Sequence, residues 1–349
     1  LISGLAKTSE TKGNNRITWE QTYEYNAGFD LSILNNRINL TVDGYYSITK
    51  QLLFKQPVLS FTGFNNYWNN IGRIRNSGIE VELNTHNIRT KNFEWESSFN
   101  ISSNFNKLLE LSGEERLIST GERNETYLAQ VGKRAISFFG YKTDGIYKSQ
   151  EEVDAVPHLA SAVPGSLRIV DINDDGVIND KDRTMIGNPT PDFTYGLTIS
   201  AGYKGFDFSM DMMGVYGNEI YRNWESDEFS QNNYSLRRMN RWNGEGTSNW
   251  EPILDPSRSI NRQNSSYFIE DGSFFRIRNI ELGYTFNPGL LKKIYLKSLR
   301  LYANVQNLKT WSKCSGYTPE IGGSATSFGV DNGTYPMPTV YTFGLNLTF

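Results

Sequence analysis

The densest group of ligand-capable side chains in the sequence is Asp171-Ile172-Asn173-Asp174-Asp175-Gly176-Val177-Ile178-Asn179-Asp180-Lys181-Asp182. A calcium ion takes about six to eight oxygens at the rim of a tight loop. Here the oxygens fall on Asp171, Asn173, Asp175, the carbonyl of Val177, Asn179 and Asp182, with Gly176 at the sharp turn. That is the spacing of a calcium loop. Asp182 stands where such loops usually close on Glu; dockerin-type loops also carry Asp there, and its bidentate reach is shorter. The spacing predicts a structural Ca2+. The competing reading is an Asx-rich turn that holds no ion. No strong helical pattern leads into Leu167-Arg168-Ile169-Val170, so this is a lone loop and not half of a helix pair.

Other chemistry is sparse. The two histidines, His86 and His158, are far apart and lack metal-ligand spacing. No glycine-rich phosphate loop precedes a helix. Glu80/Glu82 and Glu94/Glu96 are carboxylates two apart, which could imitate a glycosidase pair. Solvated charges on one strand face explain them better, and no catalytic residue is assigned. Trp224, Trp242 and Trp250, with Tyr221 and Tyr234, fall in the polar stretch 218–266. Aromatic rings on loops can stack on sugars or anchor a protein partner. They serve equally well as a small core inside the loop. Cys314 is alone, so no disulfide forms within the chain, and it reads as a small buried residue. A net charge of -3 gives no case for nucleic acid. Asn39-Leu40-Thr41 falls inside a strand pattern and reads as a chance glycosylation triplet.

The elements that hold these residues are strands. Tyr23, Tyr25, Ala27, Phe29, Leu31 and Ile33 alternate with Glu24, Asn26, Gly28, Asp30 and Ser32. The alternation resumes after Asn35-Asn36 with Ile38, Leu40, Val42, Gly44, Tyr46 and Ile48. Period two means one apolar and one polar face. Asn tolerates positive φ, so Asn35-Asn36 marks a hairpin turn. Similar patterns follow at Ile79–Thr85, Phe93–Ile101, Phe193–Tyr203, Phe206–Met212, Phe268–Phe286, Leu299–Val305 and Thr339–Phe349. The phase slips near Arg278-Asn279, the mark of a bulge. The leading residues 1–19 read as loop, and 106–135 are weakly patterned.

Connection lengths carry further information. The turns at Asn35-Asn36, Asn87–Asn92, Lys204-Gly205 and Pro288-Gly289 are short, whereas 57–68, 106–135, 218–266 and 312–338 are long. Counted back from Phe349, all the long ones fall at one end. Membrane barrels have this asymmetry, with short periplasmic turns and long extracellular loops. No apolar run is long enough for a membrane helix, which leaves a barrel untouched. The pattern therefore predicts an all-β, antiparallel transmembrane barrel. Leu31, Val42, Leu197, Ile199 and Leu345 face lipid, and Asp30, Asp43, Asn100 and Asn346 face the lumen. Phe349 falls on the lipid-facing parity. The alternative is a soluble, calcium-stabilised β-protein that binds carbohydrate.

Several short motifs together resemble one family. They are Trp19-Glu20, Asn26-Ala27-Gly28-Phe29-Asp30, Asp43-Gly44-Tyr45-Tyr46, Gln51-Leu52-Leu53 and Asn76-Ser77-Gly78-Ile79-Glu80. The acidic stretch 165–187, Pro191-Asp192-Phe193-Thr194-Tyr195-Gly196, Asp271-Gly272-Ser273-Phe274-Phe275-Arg276 and Gln306-Asn307-Leu308 continue the series. Tyr317-Thr318-Pro319-Glu320 lacks the Asp that usually precedes this proline. The chain is similar to the SusC/RagA-like TonB-dependent outer-membrane transporters. The resemblance implies that 1–349 is the C-terminal part of a barrel of about twenty-two strands. It implies that the plug domain and early strands lie outside this sequence. It implies energised uptake of an oligosaccharide or peptide, a SusD-like surface lipoprotein as partner, and contact with the TonB complex through the missing N-terminal part. It places the chain in the outer membrane, with 165–187 and 218–266 extracellular and the C-terminus periplasmic.

Overall fold

The computed structural model describes residues 11–58, 63–64, 66–111, 116–120, 126–224, 235–254, 259–292, 295–324 and 327–349. Nine strands form one continuous antiparallel wall in which chain neighbours are also spatial neighbours. They are β1 (Gln21–Ile33), β2 (Ile38–Pro57), β3 (Asn66–Arg89), β4 (Phe93–Leu111), β5 (Phe193–Tyr203), β6 (Phe206–Tyr216), β7 (Phe274–Thr285), β8 (Ser298–Ser312) and β9 (Val340–Thr348).

Register makes the wall two-faced. Leu31, Leu40, Leu83, Phe99, Leu197, Met212 and Ile277 lie opposite one another across seven strands, an apolar row on the outer face. The next row, on the inner face, runs Ser32, Asn39, Asn84, Ser98, Thr198, Asp211, Asn279 and Gln306. Its members bond across strands: Ser32 Oγ donates to Asn39 Oδ1 at 2.7 Å, and Thr198 Oγ1 donates to Asp211 Oδ1 at 2.9 Å. The apolar face has no cover within the described residues; Phe343 is 83% exposed.

Aromatic rings gather at both ends of the outer face. Phe193 stacks on Tyr216 at 4.9 Å, and Tyr195, Phe275 and Trp311 continue the series. At the other end Phe93 meets Tyr203, and Phe206, Tyr284 and Phe286 meet in sequence. Tyr195 and Tyr203, one at each end, are separated by roughly 26 Å of strand at ~3.3 Å per residue. At a tilt of ~40° this spans roughly 20 Å of height, close to the apolar band of a membrane barrel.

The short turns have local causes. Leu34, Asn35 and Asn36 all take positive φ, so the first turn occupies 34–37 and is wider than the two residues expected. Lys204-Gly205 is a two-residue turn with both φ positive, the geometry that matches strand twist. Between β7 and β8 the Asn287 side chain caps a helical turn, α1 (Pro288–Leu291), by accepting from the Gly289 N–H at 2.8 Å. The slip expected near Arg278 is a bulge between Ile277 and Asn279.

The long connections are folded. One four-stranded sheet joins Arg183–Gly187, Ser137–Tyr141, Thr126–Gln130 and Arg116–Thr120. A three-stranded sheet joins Ile269–Asp271, Glu219–Arg222 and Val330–Asp331. Between them sits a core of Tyr127, Phe138, Ile146, Leu167, Tyr221, Tyr267 and Phe268. These residues come from separate connections, so the connections pack together as a cap. The weakly patterned 106–135 thus holds the end of β4 and two cap strands. Of the leading stretch expected as loop, residues 1–10 lie outside the described residues, and Thr11–Lys12 pairs in parallel with Asn66–Tyr67. Cys314 is half-buried, its sulfur 3.5 Å from Ser312 Oγ.

Three tyrosines lie flat over glycines directly opposite them: Tyr45 over Gly78, Tyr195 over Gly214 and Tyr302 over Gly344. A Cβ on Gly344 would sit 2.4 Å from Tyr302 Cζ, and its nearest neighbours are all atoms of that phenol side chain. Gly344→Ala should therefore destabilise the barrel by about 1–3 kcal/mol. The added Tyr302→Ala should recover part of that loss in a urea-unfolding series. Strictly additive losses would contradict this packing.

Candidate functional site

The acidic loop hangs between the cap strands Leu167–Ile169 and Arg183–Gly187 and ends in a single 3-10 turn, Asp180–Asp182. Each side chain named from the sequence turns inward on its own backbone. Asp171 Oδ2 accepts from Gly176 N–H at 2.8 Å. Asn173 Oδ1 accepts from Asp175 N–H at 3.1 Å, and Asp175 Oδ1 from Val177 N–H at 3.0 Å. The Val177 carbonyl accepts from Asn179 Nδ2 at 3.2 Å. Asp182 closes the loop, accepting from Ile172 and Asn179 N–H groups at 3.0 and 2.7 Å. Asp174 and Gly176 take positive φ, which lets the chain reverse tightly.

Asp182 is fully buried. Burial opposes its charge, but N–H donors from Asn179, Ile172 and Asn173 outweigh burial and hold the carboxyl below its usual range. An anion is thus fixed at the loop's closing position. Asp171 Oδ1 is buried and accepts no hydrogen bond among the described residues. The six expected oxygen donors are therefore brought into one loop, with one carboxylate oxygen left over, and the donor set suits a hard divalent cation. The carboxylates alone do not converge: no group of three or more His, Cys, Asp or Glu side chains among the described residues is placed to hold a metal. Asp171, Asp175 and Asp182 instead accept from backbone N–H groups within the loop.

The five aromatic residues do not form one platform. Tyr221 is a core residue of the cap, and its hydroxyl donates to Asn264 Oδ1 at 2.7 Å. Trp242 packs against the same core. Trp224 is half-buried, beside Gly316 and Gly333. Trp250 alone joins exposure, 47%, to an aromatic neighbour, Tyr267 at 6.0 Å. Tyr234 lies outside the described residues. The small-core reading thus holds for Tyr221 and Trp242, and Trp250 keeps a surface able to stack on a ligand.

Two features escaped the sequence reading. One is an ion network inside the cap. Glu251 takes Arg237 and Arg238, both at 2.8 Å, and Glu270 takes Arg222 at 3.0 Å and Arg237 at 3.2 Å. The Tyr267 hydroxyl donates to Glu251 Oε1 at 2.8 Å, and burial pushes its ionisation far above the ordinary tyrosine range. Arg237-Arg238, three residues after Tyr234 and four before Trp242, was the available signal. The other is a polar notch of about 110 Å³ in the inner face, lined by Asn84, His86, Glu96, Ser98, Thr198 and Ser200 among others. His86 Nδ1 lies 2.6 Å from Glu96 Oε1. Glu82 accepts from Asn84 Nδ2 at 2.6 Å, and Arg300 bridges Asp207 and Glu281. The carboxylates singled out for a glycosidase pair are therefore parts of a hydrated inner wall.

Residues 4–308 match the family described as "TonB dependent receptor-like, beta-barrel". The chain is 32% identical over 358 residues to TonB-dependent receptor P3 of Formosa agariphila, covering 96% of the chain and 35% of that protein. It is 32% identical over 355 residues to TonB-dependent receptor SusC of Bacteroides thetaiotaomicron, covering 98% of the chain and 33% of SusC. The chain thus spans about a third of the length of these relatives. In fold it resembles the solved RagAB peptide transporter, with a TM-score of 0.81 and 22% identity over 97% of this chain and 36% of that one. The soluble alternative falls with these matches. The two-faced wall, the folded connections at one end and the matched sequence agree: the chain belongs to the TonB-dependent receptor β-barrel family and is SusC/RagA-like.

Proposed function

We propose that the whole protein is an outer-membrane importer of bulky polar nutrients, oligosaccharide or peptide, energised through TonB. The observation that supports this most is the wall itself: an apolar face without cover among the described residues, a hydrated acidic face behind it, and every large connection at one end. The cap end faces outside and the short turns face the periplasm, where β9 also ends. The cap is where a SusD-like surface lipoprotein docks, and Trp250 offers it or the cargo an exposed ring. Coupling to TonB belongs to parts of the protein other than this wall. Cells carrying the full-length protein should lose cargo uptake when TonB is deleted. Uptake that continues at the same rate without TonB would make the barrel a passive pore.

The wall's outer face meets lipid in this reading. Leu197 lies in the middle of the apolar row, and Asn346 on the inner face opposite Arg300. A lipid-facing Arg at mid-membrane costs roughly 2–4 kcal/mol, and far less in a wet lumen. Leu197→Arg should thus deplete folded barrel in the membrane fraction much more than Asn346→Arg, whose new cation meets the like charge of Arg300 only across water. Equal depletion by both would reverse the face assignment.

The acidic loop is proposed as a structural Ca2+ site at the extracellular surface, with Asp171, Asn173, Asp175, Val177, Asn179 and Asp182 as ligands. When bound, the ion would cancel the loop's crowded negative charge and fix its turn. Extracellular modules of this type bind at about 10⁻⁴–10⁻³ M. Chelation should therefore open the segment 171–182 to limited proteolysis, and millimolar Ca2+ should close it again. Asp171→Ala with Asp175→Ala should behave as the chelated protein does, with the barrel still folded. Cleavage that ignores Ca2+ would leave the loop an Asx-rich turn.

A further inference from the structure

The outer face of β2, β3 and β4 carries a cluster that import does not require. Tyr25, Tyr46, Ser77 and Phe105 form one cross-strand row there, toward the cap end of the apolar rows. The next row on the same face is Tyr23, Ile48, Arg75 and Lys107, and the one beyond is Gln21, Lys50, Arg73 and Glu110. Four cations on three adjacent strands thus face one acid. Side-chain positions agree with the register. Lys50 Nζ is 4.8 Å from the Tyr23 ring, and the Arg75 guanidinium is 6.0 Å from the Tyr46 ring. Arg73 Nε is 3.5 Å from Glu110. Arg75 Nε is buried with no hydrogen-bond partner among the described residues.

The pairing is unfavourable as it stands. Lys50 lies directly opposite Arg73, and Arg75 directly opposite Lys107. Like charges placed opposite one another destabilise a sheet, and here two such pairs occur in consecutive rows. An anion lodged between the pairs turns repulsion into attraction. Phosphate oxygens suit this set, because Arg offers a planar fork and Lys a mobile point charge.

We propose that this cluster binds the phosphate groups of a membrane-lipid headgroup in the leaflet on the cap side. Its location identifies the source of the phosphate. The rings of Tyr25, Tyr46 and Phe105 mark the edge of the apolar band, where aromatic side chains sit at headgroup level. The cations lie one and two rows beyond it, their stems along the wall and their heads at phosphate depth. The proposal rests on the wall facing lipid and not on what the protein imports.

The test uses the full-length protein in nanodiscs, with native mass spectrometry reading the lipid retained on release. One set of discs carries a phosphorylated glycolipid and the other the same lipid with its phosphates removed. Wild type should retain the phosphorylated form at least tenfold better. Near an anionic surface each cation contributes about fivefold, so Arg75→Gln with Lys107→Gln should lower retention about 25-fold. Arg75→Lys should keep most of it. Lys309→Gln, an outward cation on β8 opposite Ile277, should change nothing. Equal retention of both lipids by wild type overturns the proposal, whether or not the variants fold. Displacement of the lipid by millimolar inorganic phosphate would assign the cluster to a soluble anion and also overturn it. Cargo uptake is scored separately, so loss of lipid with uptake intact leaves the import reading standing.

Discussion

The backbone ladder between neighbouring wall strands is the interaction on which the molecule depends. In hydrocarbon, an unpaired N–H or carbonyl has no water to turn to. Strands must therefore pair along their whole buried length, and pairing fixes register. Because side chains alternate, a slip of one residue would send every leucine of a strand inward and every asparagine outward. The lipid face, the wet face and the positions of both aromatic rows all follow from that one constraint. Irregularities fall between Lys50 and Leu53, between Arg73 and Ile74, and between His86 and Ile88, and one sits in mid-wall, where Asp211–Met212 on β6 faces Ile277–Asn279 on β7. The bulge where β6 faces β7 keeps Met212 opposite Ile277 and Asp211 opposite Asn279, so the ladder bends there without turning a lipid-facing side chain inward.

The cap obeys different physics. It stands in water, so its stability comes from a conventional core and not from the membrane. Phe138, Tyr221 and Tyr267 are each nearly free of solvent and come from distant stretches of chain. Three arginines and two glutamates are held within or beside that core. Desolvated ion pairs are expensive unless every partner is placed. Here Glu251 and Glu270 share Arg237, and Ser315 adds hydrogen bonds to Glu270 at 2.7 Å. Such a network specifies one arrangement of the connections more than it stabilises them.

This difference explains what could be read in advance. The wall was legible because its information is local: Leu31, Ser32 and Ile33 announce their faces by alternation alone, and the bulge at Arg278 shows as a slipped phase. The acidic loop was legible for the same reason, since its oxygens come from one run of residues. The cap was not. Tyr221 reads as one aromatic in a polar stretch, and only its packing against Phe138 and Phe268, near 5.7 Å for both rings, makes it core. The strand Glu219–Arg222 pairs in parallel with Val330–Asp331, across more than a hundred residues. No periodicity within either segment could announce the other. The cation pairs on the outer wall lie between these cases. Lys50, Arg73, Arg75 and Lys107 are plain in the sequence, but their opposition appears only with register.

The parallel seam between Glu219–Arg222 and Val330–Asp331 has a mechanical consequence. It joins the connection between β6 and β7 to the connection between β8 and β9, and the isolated bridge from Tyr141 to Ser265 ties in the connection between β4 and β5. Asn223 N–H donates to the Asp331 carbonyl at 2.9 Å, and Asn223 Nδ2 to Asn332 Oδ1 at 2.8 Å, which tightens the seam. Three connections that leave the wall at different points therefore behave as one slab. A force on any of them is passed to the other two through these hydrogen bonds, so the three connections at this end of the wall are coupled and not separate fingers.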